Sequence, residues 1–539
     1  MSISLKIANL HRNAPAVLCC RAPKGAVIGA VHLEDPSIFP ELEGSGLLSI
    51  PAGALTIGQV LGATLKETTD ALTPLTATLV EDLPGSAACC AAPREPAAPP
   101  GRVVRTLMHR NYGVSQVEIT GATSFDNGKL TVRESLRRES LKADPLVKKV
   151  EMDVITPDRR HVFSNTIMDV IPVATKVEGK LGEGVTHVMD GVVFILTGVD
   201  EDGIQLHEFG SCEGYLDEKI SFGRPGCPDP GDLMVRVNVV IQAGTGMERR
   251  GPCAAHKACD AIMQDVREAL KRAPTSGYTG VKTYSDMKKP ARPRVVLVKE
   301  IMGQGAMHEK SLLPAEPAGV EGGRRNVDLG NVPIVLSPNE VRDGGIHALS
   351  CVGPATKETT RHYFREPLLR LMAEDEEIGL VGVVFIGSPQ VNDEKAFVSA
   401  RLGALVEALD VDGAIVTTEG FGNNHIDFAE SIEQIGARGV SVVGVSFSGC
   451  QGQLVVGNRY MDAMIELNKD PQGRESEILG ESTLCLEDAR RALLMLKTKM
   501  AGIPIAPADG RWTQSVIDAN QRLVERGSGM EDALEGALT

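Results

Sequence analysis

Aromatic side chains are scarce in this sequence. One Trp, 6 Tyr and 12 Phe make up 4% of its 539 residues, while Gly (57) and Pro (31) are plentiful. No apolar run reaches the ~18 residues that a membrane-spanning helix requires, so a membrane partner is not expected. The start, MSISLKIANLHRN, lacks a cationic stretch running into an apolar one, and no secretory signal is expected there. Basic charge is in deficit: 56 Lys and Arg stand against 71 Asp and Glu, a formal charge of −15. A chain of that sign does not attract polyanions, which argues against nucleic acid as a partner. A disulfide framework is missing too. The 11 cysteines are odd in number, scattered, and include two adjacent pairs, as expected of a cytoplasmic chain with reduced thiols. Metal-ligand spacing is poor. In PCAAHKAC, Cys253, His256 and Cys259 stand three apart with no fourth ligand, which reads as the start of a helix, and no metal is expected. GVSFSG lacks the last glycine of a nucleophile elbow, and GQGAMH lacks the third glycine of a dinucleotide fingerprint.

What is present is 42% apolar residues, ordinary for a globular chain that builds real cores. The sharpest break in composition is LPGSAACCAAPREPAAPPGR, too rich in proline for a helix or a sheet. It divides a small N-terminal module (1–82) from the rest and reads as a linker over 83–102. From 103 to 290 the pattern is mostly β. VSQVEIT, GKLTVR, HVMDGVVFILTGV and LMVRVNVVIQA are β-branched, and a helix follows in ACDAIMQDVREALKRA with Ala258, Ile262, Val266 and Leu270 on one face. From 291 to 539 apolar strands alternate with helices. PRVVLVKEI, VPIVL, VGVVFIG, DGAIVTT and VSVVGVSF are strands; HYFREPLLRLMAE, FVSARLGALVEAL, FAESIEQIGAR and LEDARRALLMLKTKMAG are helices. Pro367 must sit in the first turn of its helix or kink it. This is the pattern of an α/β protein with a doubly wound, mostly parallel C-terminal sheet.

Such sheets bind ligands at the carboxyl ends of their strands. The loops that follow these strands hold His308, His347, Cys351, Glu419, Asn423, Asn424 and His425. In TTEGFGNNHID, Gly420 and Gly422 permit positive φ and the two asparagines can cap the next helix, leaving Glu419 and His425 as acid, base or hydrogen-bonding groups. Cys351 is open to two readings. It is a buried packing thiol, or a reactive one activated by Lys357, Arg361, His362 and Arg365 nearby in sequence.

The segments DGGIHALSCVGPATKETTRHYFREP, VDGAIVTTEGFGNNHIDF and RLGALVEAL resemble the pyruvoyl-dependent amino-acid reductases, a family that includes the component B subunits of glycine, sarcosine and betaine reductase. The resemblance runs from Arg102 to the C-terminus. The preceding region, with PAVLCCRAPKGAVIGAVHLEDPSIFPELEGSGLL, and GCQGQLVVGNRYMDAMIELN favour the D-proline reductase branch. It implies a proprotein that cuts itself at Ser350–Cys351 and turns Cys351 into a covalent pyruvoyl cofactor, which condenses with the substrate amine. It implies reductive cleavage of D-proline to 5-aminovalerate in a hetero-oligomer. A small selenocysteine-containing subunit supplies the nucleophile, and a thiol or reductase donor the electrons. His347 or His362 would act as base, Arg361 or Arg365 would hold the substrate carboxylate, and Glu419 and His425 would move protons. Asn423, Asn424 and His308 join the substrate-binding candidates. The alternatives are the same chemistry on glycine, sarcosine, betaine or another amine, and an uncut scaffold or thiol electron carrier.

Overall fold

β-Branched alternation makes strands where the sequence predicts them, but the longest such run is divided. HVMDGVVFILTGV forms two strands, Gly184–Asp190 and Val192–Asp200, in different sheets. Gly191 between them has φ +82, and a Cβ there would lie 2.7 Å from the carbonyl oxygen of Val114. Only glycine meets both conditions cheaply.

These features come from a computed structural model that describes residues 3, 8, 11–81, 101–206, 212–246, 250–301, 331–348, 356–389, 392–420, 422–448, 456–468, 470 and 474–505. The chain divides into two units, Met1–Ala98 and Pro99–Thr539. The first is built from short pieces. Thr64–Leu65 pairs with Val80–Glu81, isolated bridges tie loop to loop, and Leu18, Ile28, Leu33, Ile57 and Val60 form its core.

The second unit opens with two four-stranded sheets. One orders Ala174–Glu178, Gly184–Asp190, Arg102–Gly113 and Gly280–Lys288; the other orders Val147–Ile155, Leu233–Ile241, Val192–Asp200 and Thr166–Ile171. The helix Arg250–Lys271 begins eight residues before the predicted Ala258 and takes in PCAAHKAC; Ala258, Ile262, Val266 and Leu270 are all buried.

The six-stranded C-terminal sheet contains β1 (Arg294–Ile301), β2 (Ile334–Leu336), β3 (Gly379–Gly387), β4 (Gly413–Thr418), β5 (Ser441–Ser446) and β6 (Met464–Glu466), in the order β2-β3-β1-β4-β5-β6. Only the edge strand β2 runs antiparallel. Its helices are α1 (Pro338–Arg342), α2 (Thr360–Phe364), α3 (Pro367–Glu374), α4 (Asn392–Leu409), α5 (Asn424–Gly436) and α6 (Leu486–Met500). HYFREPLLRLMAE is thus two helices, with Pro367 at the first position of α3, where its missing N–H costs nothing. On one sheet face Val295 and Leu297 pack with α3 and α6; on the other Val296 and Val298 pack with α4 and α5. Among the described residues no helix is long and apolar enough to cross a membrane.

Strand order reverses about β1. The chain passes from β1 to β3 on one side, then to β4 on the other. The crevice beyond the ends of β1 and β4 is where open α/β sheets place ligands. Gly191→Ala strains the hinge between the two preceding sheets and lowers stability by about 1–3 kcal/mol; a thermal melt matching wild type would contradict that reading of the position.

Candidate active site

β1 is apolar from Val295 to Val298, after which Lys299 and Glu300 stand side by side, 1% and 0% exposed. Successive side chains of a strand point to opposite faces. The two charges therefore start separate buried clusters, one on each side of the sheet.

On the α3 face, Lys299 Nζ lies 3.2 Å from Glu358 Oε2 and 3.3 Å from Glu366 Oε2. His362 Nε2 is 2.6 Å from that same Glu366 oxygen and 3.5 Å from Glu358 Oε1. Glu358, His362 and Glu366 are four apart, a spacing that stacks them along α2 and its ends. Burial alone would raise the pKa of Glu366, but Lys299 and His362 outweigh it and hold Glu366 at about 2. Burial would likewise strip Lys299 of its proton; Glu358, Glu366 and Glu419 keep it charged.

On the α4–α5 face, Thr418 Oγ1 at the end of β4 donates to Glu300 Oε1 at 2.9 Å. Lys395 of α4 donates to Asp427 Oδ1 of α5 at 2.7 Å and to Ser388 Oγ at 3.4 Å. Two buried carboxylates here share one lysine. Burial and the charge of Asp427 raise the pKa of Glu300 well above its ordinary value, and burial raises Asp427 against the pull of Lys395. Both shifts favour the protonated form over what these carboxyls would hold in water. Glu300 Oε2 and Asp427 Oδ2 have no hydrogen-bond partner among the described residues, nor has His425 Nδ1.

Several residues expected from the sequence surround these clusters. Glu419, buried at the end of β4, contributes to the α3-face charge and accepts at its backbone carbonyl from Thr356 N–H (3.3 Å) and Thr356 Oγ1 (3.2 Å). His425 Nε2 is 2.8 Å from Ser446 Oγ at the end of β5, and burial lowers its pKa to about 4. Asn423 holds the position before α5 but its side chain makes no capping hydrogen bond, contrary to the expectation, and Asn424 begins the helix. Gly422 has φ +70, but Gly420 does not need positive φ; a Cβ on it would sit 2.6 Å from Asn424 Oδ1, so it is small to admit that side chain. Burial, and after it the charge of Arg267, lower the pKa of His347 to about 4 against the opposing pull of Asp260. Arg361 is buried between Asp232 (2.6 Å) and Asp229 (2.8 Å), and Arg365 also reaches Asp229 at 2.9 Å. Ser350, Cys351 and His308 lie outside the described residues. The chain on either side of the first two is anchored: Ala348 N–H donates to Thr360 Oγ1 at 2.9 Å, and Thr356 holds Glu419.

Lys299, Glu300, Glu358, Glu366, Lys395 and Asp427 were not predicted. VVLVKEI carried the one usable signal, two ionisable residues in a strand apolar on both faces. Lys395 and Asp427 meet only because α4 packs on α5, which spacing cannot reveal. Among the described residues no group of His, Cys, Asp or Glu is placed to hold a metal ion.

Comparison of the sequence with known proteins assigns the class of this chain. A profile of glycine/sarcosine/betaine reductase component B subunits matches residues 247–466, which contain both charged clusters. The chain belongs to this amino-acid reductase family. It is 47% identical to the D-proline reductase proprotein PrdA of Acetoanaerobium sticklandii, over 99% of this chain and 97% of that one. The glycine reductase complex component B subunits alpha and beta of the same organism are 23% identical, over 62% of this chain and 77% of that one. The sarcosine reductase complex component B subunit alpha of Peptoclostridium acidaminophilum is 24% identical, over 63% and 79%. No solved structure matches the chain.

Lys299→Met strands buried carboxylates and costs about 3–5 kcal/mol in denaturant unfolding. Glu366 has a depressed folded-state pKa, so its contribution is complete above its ordinary 4.5 and is lost as pH falls toward about 2. With one of its two cations gone, acid unfolding begins at higher pH; a variant with an unmoved acid midpoint would refute the coupling.

Proposed function

We propose that this chain is the proprotein of the pyruvoyl-containing subunits of a D-proline reductase, a cytoplasmic enzyme that opens D-proline to 5-aminovalerate. The observation that carries this is the full-length match to a D-proline reductase proprotein, against partial matches at 22–25% identity to the glycine, sarcosine and betaine enzymes.

Self-processing needs only the chain's own groups. The Cys351 thiol attacks the Ser350 carbonyl, moving the acyl group from nitrogen to sulfur. His347, four residues upstream and neutral at pH 7 with its pKa lowered to about 4, would take the thiol proton. Loss of the Cys351 α-proton then breaks its Cβ–S bond and leaves the sulfur on the Ser350 carboxyl. The dehydroalanine tautomerises to an imine, water replaces the nitrogen as ammonia, and a pyruvoyl N-terminus remains.

The unpartnered buried atoms Glu300 Oε2, Asp427 Oδ2 and His425 Nδ1 fit a site built for a polar substrate held at such a group. The pyruvoyl group would supply a carbonyl that takes up the substrate amine and draws electrons from its α-carbon. Glu300 would hold the proton delivered to the ring nitrogen from Oε2, with Lys395 and Asp427 setting its charge state. Glu419, His425, Asn423 and Asn424 would line the strand ends. Arg361 is saturated by aspartates, so the partly exposed Arg365 is the better candidate for the substrate carboxylate. A selenocysteine-bearing small subunit would supply the nucleophile, and a thiol donor the two electrons.

Denaturing electrophoresis and intact mass should show chains 1–350 and 351–539, the second blocked at its N-terminus. Borohydride should fix labelled D-proline to it. Cys351→Ala should remain one chain and trap nothing; a single wild-type chain with an alkylatable Cys351 would overturn the proposal. Glu300→Gln should still cut but lose roughly 10²–10⁴-fold in turnover. Wild-type turnover in that variant would remove Glu300 from the chemistry.

A further inference from the structure

Asp169, in the strand Thr166–Ile171, is 1% exposed and gathers donors from distant parts of the chain. Val170 N–H and Thr360 N–H both donate to Oδ1 at 2.8 Å, and the Thr360 hydroxyl donates to Oδ2 at 2.6 Å. With its proton committed to Asp169, Thr360 Oγ1 turns lone pairs the other way, and Ala348 N–H donates to it at 2.9 Å. The hydroxyl is not occupied in capping α2; Thr359 does that, accepting from His362 N–H. Ala348 stands two residues before Ser350.

We propose that Asp169 is a positioning residue for self-processing: by directing the Thr360 hydroxyl, it fixes the backbone that leads into the Ser350–Cys351 bond. This inference rests on the proposed cleavage. A carboxylate suits the task because it only accepts. Three donors converge on its two oxygens, so an isosteric amide must place its NH₂ against at least one of them. In Asp169→Asn with Oδ1 kept toward the two N–H groups, the amide donates to Thr360 Oγ1. The hydroxyl proton then loses its carboxylate acceptor and Oγ1 must take the amide N–H as well as Ala348 N–H, so the hydroxyl is reoriented and the anchor weakened.

The test follows cleavage of the full chain over time, after synthesis in a cell-free translation system, by denaturing electrophoresis. Asp169→Asn and Thr360→Val should slow it by roughly tenfold to a hundredfold, the range expected from a small misplacement of reacting groups. Thr360→Ser, which keeps the hydroxyl, should restore the wild-type rate. Burial pushes Asp169 up to about 7, and the titratable groups facing it are His256, with Nδ1 4.0 Å from Oδ2, and Cys259, both on the helix Arg250–Lys271. Protonated Asp169 carries a donor where the carboxylate accepts. The ratio of wild-type to Asp169→Asn rates should therefore rise as pH passes upward through 7. Cleavage of Asp169→Asn at the wild-type rate would overturn the inference, as would a Thr360→Ser chain as slow as Thr360→Val. The Thr360 pair carries the test if the aspartate variant does not fold. An uncut wild-type chain would instead overturn the functional reading itself.

Discussion

The burial of Lys299 and Glu300 at the end of β1 is the constraint on which the rest of the site depends. Neither charge is tolerable alone in that position, because taking an ion out of water costs several kcal/mol unless it is paired and hydrogen-bonded. Lys299 therefore draws Glu358 and Glu366 inward, and they fix His362 between them. Glu300 is dealt with differently: it shares a buried site with Asp427 and one lysine, and its pKa is raised by burial and by the charge of Asp427. One strand end thus yields a cluster on one face where Lys299 keeps its charge and the pKa of Glu366 is lowered, and a cluster on the other where carboxyl pKa values are raised. Environments that push titratable groups apart in this way separate acid from base roles in active sites.

The architecture of the C-terminal sheet was legible because its strands are apolar throughout, a pattern produced only by burial on both faces. Boundaries were less legible where a single residue decides them. Gly191 turns one β-branched run into two strands, and Pro367 starts a second helix where the periodicity runs on. The site was half legible. Glu419, His425, Asn423 and Asn424 follow strands directly, so the strand-end rule finds them. Lys395 and Asp427 sit inside helices whose charged positions look solvated until α4 and α5 are packed together. Arg361 shows the converse. Its type and place suggested a ligand for a carboxylate, but the carboxylates that hold it, Asp229 and Asp232, come from the chain itself.

The β-rich region does more than precede the sheet. Its polar groups hold the segment from α1 to α2 at several points. Asp286 accepts from Asn339 N–H at 3.0 Å, and Lys176 pairs with the buried Asp343 at 2.5 Å. Thr359 donates to the Gly226 carbonyl at 2.7 Å, Thr360 to Asp169, and Arg361 to Asp232. Each tether is a side-chain bond buried away from water, where loss of one partner leaves the other unsatisfied. The described residues on either side of the proposed cleavage bond are thus held from outside the C-terminal sheet.

That clamping bears on what a cut at residue 350 would do to the molecule. β1 and β2 would belong to the first product and β3 to β6 to the second. Yet β1 lies between β3 and β4, with hydrogen-bonded ladders on both sides. β2 is likewise paired to β3 across the cut. Val295 and Leu297 on one face, and Val296 and Val298 on the other, pack into cores most of whose other members come from the second product. Lys299 and Glu300 would stay with the first product, and all their charged partners with the second. Separating the two would expose a central strand and strand buried ions on both sides. Scission of one peptide bond therefore changes the chemistry at that bond while leaving sheet, core and ion clusters as the joint property of two chains.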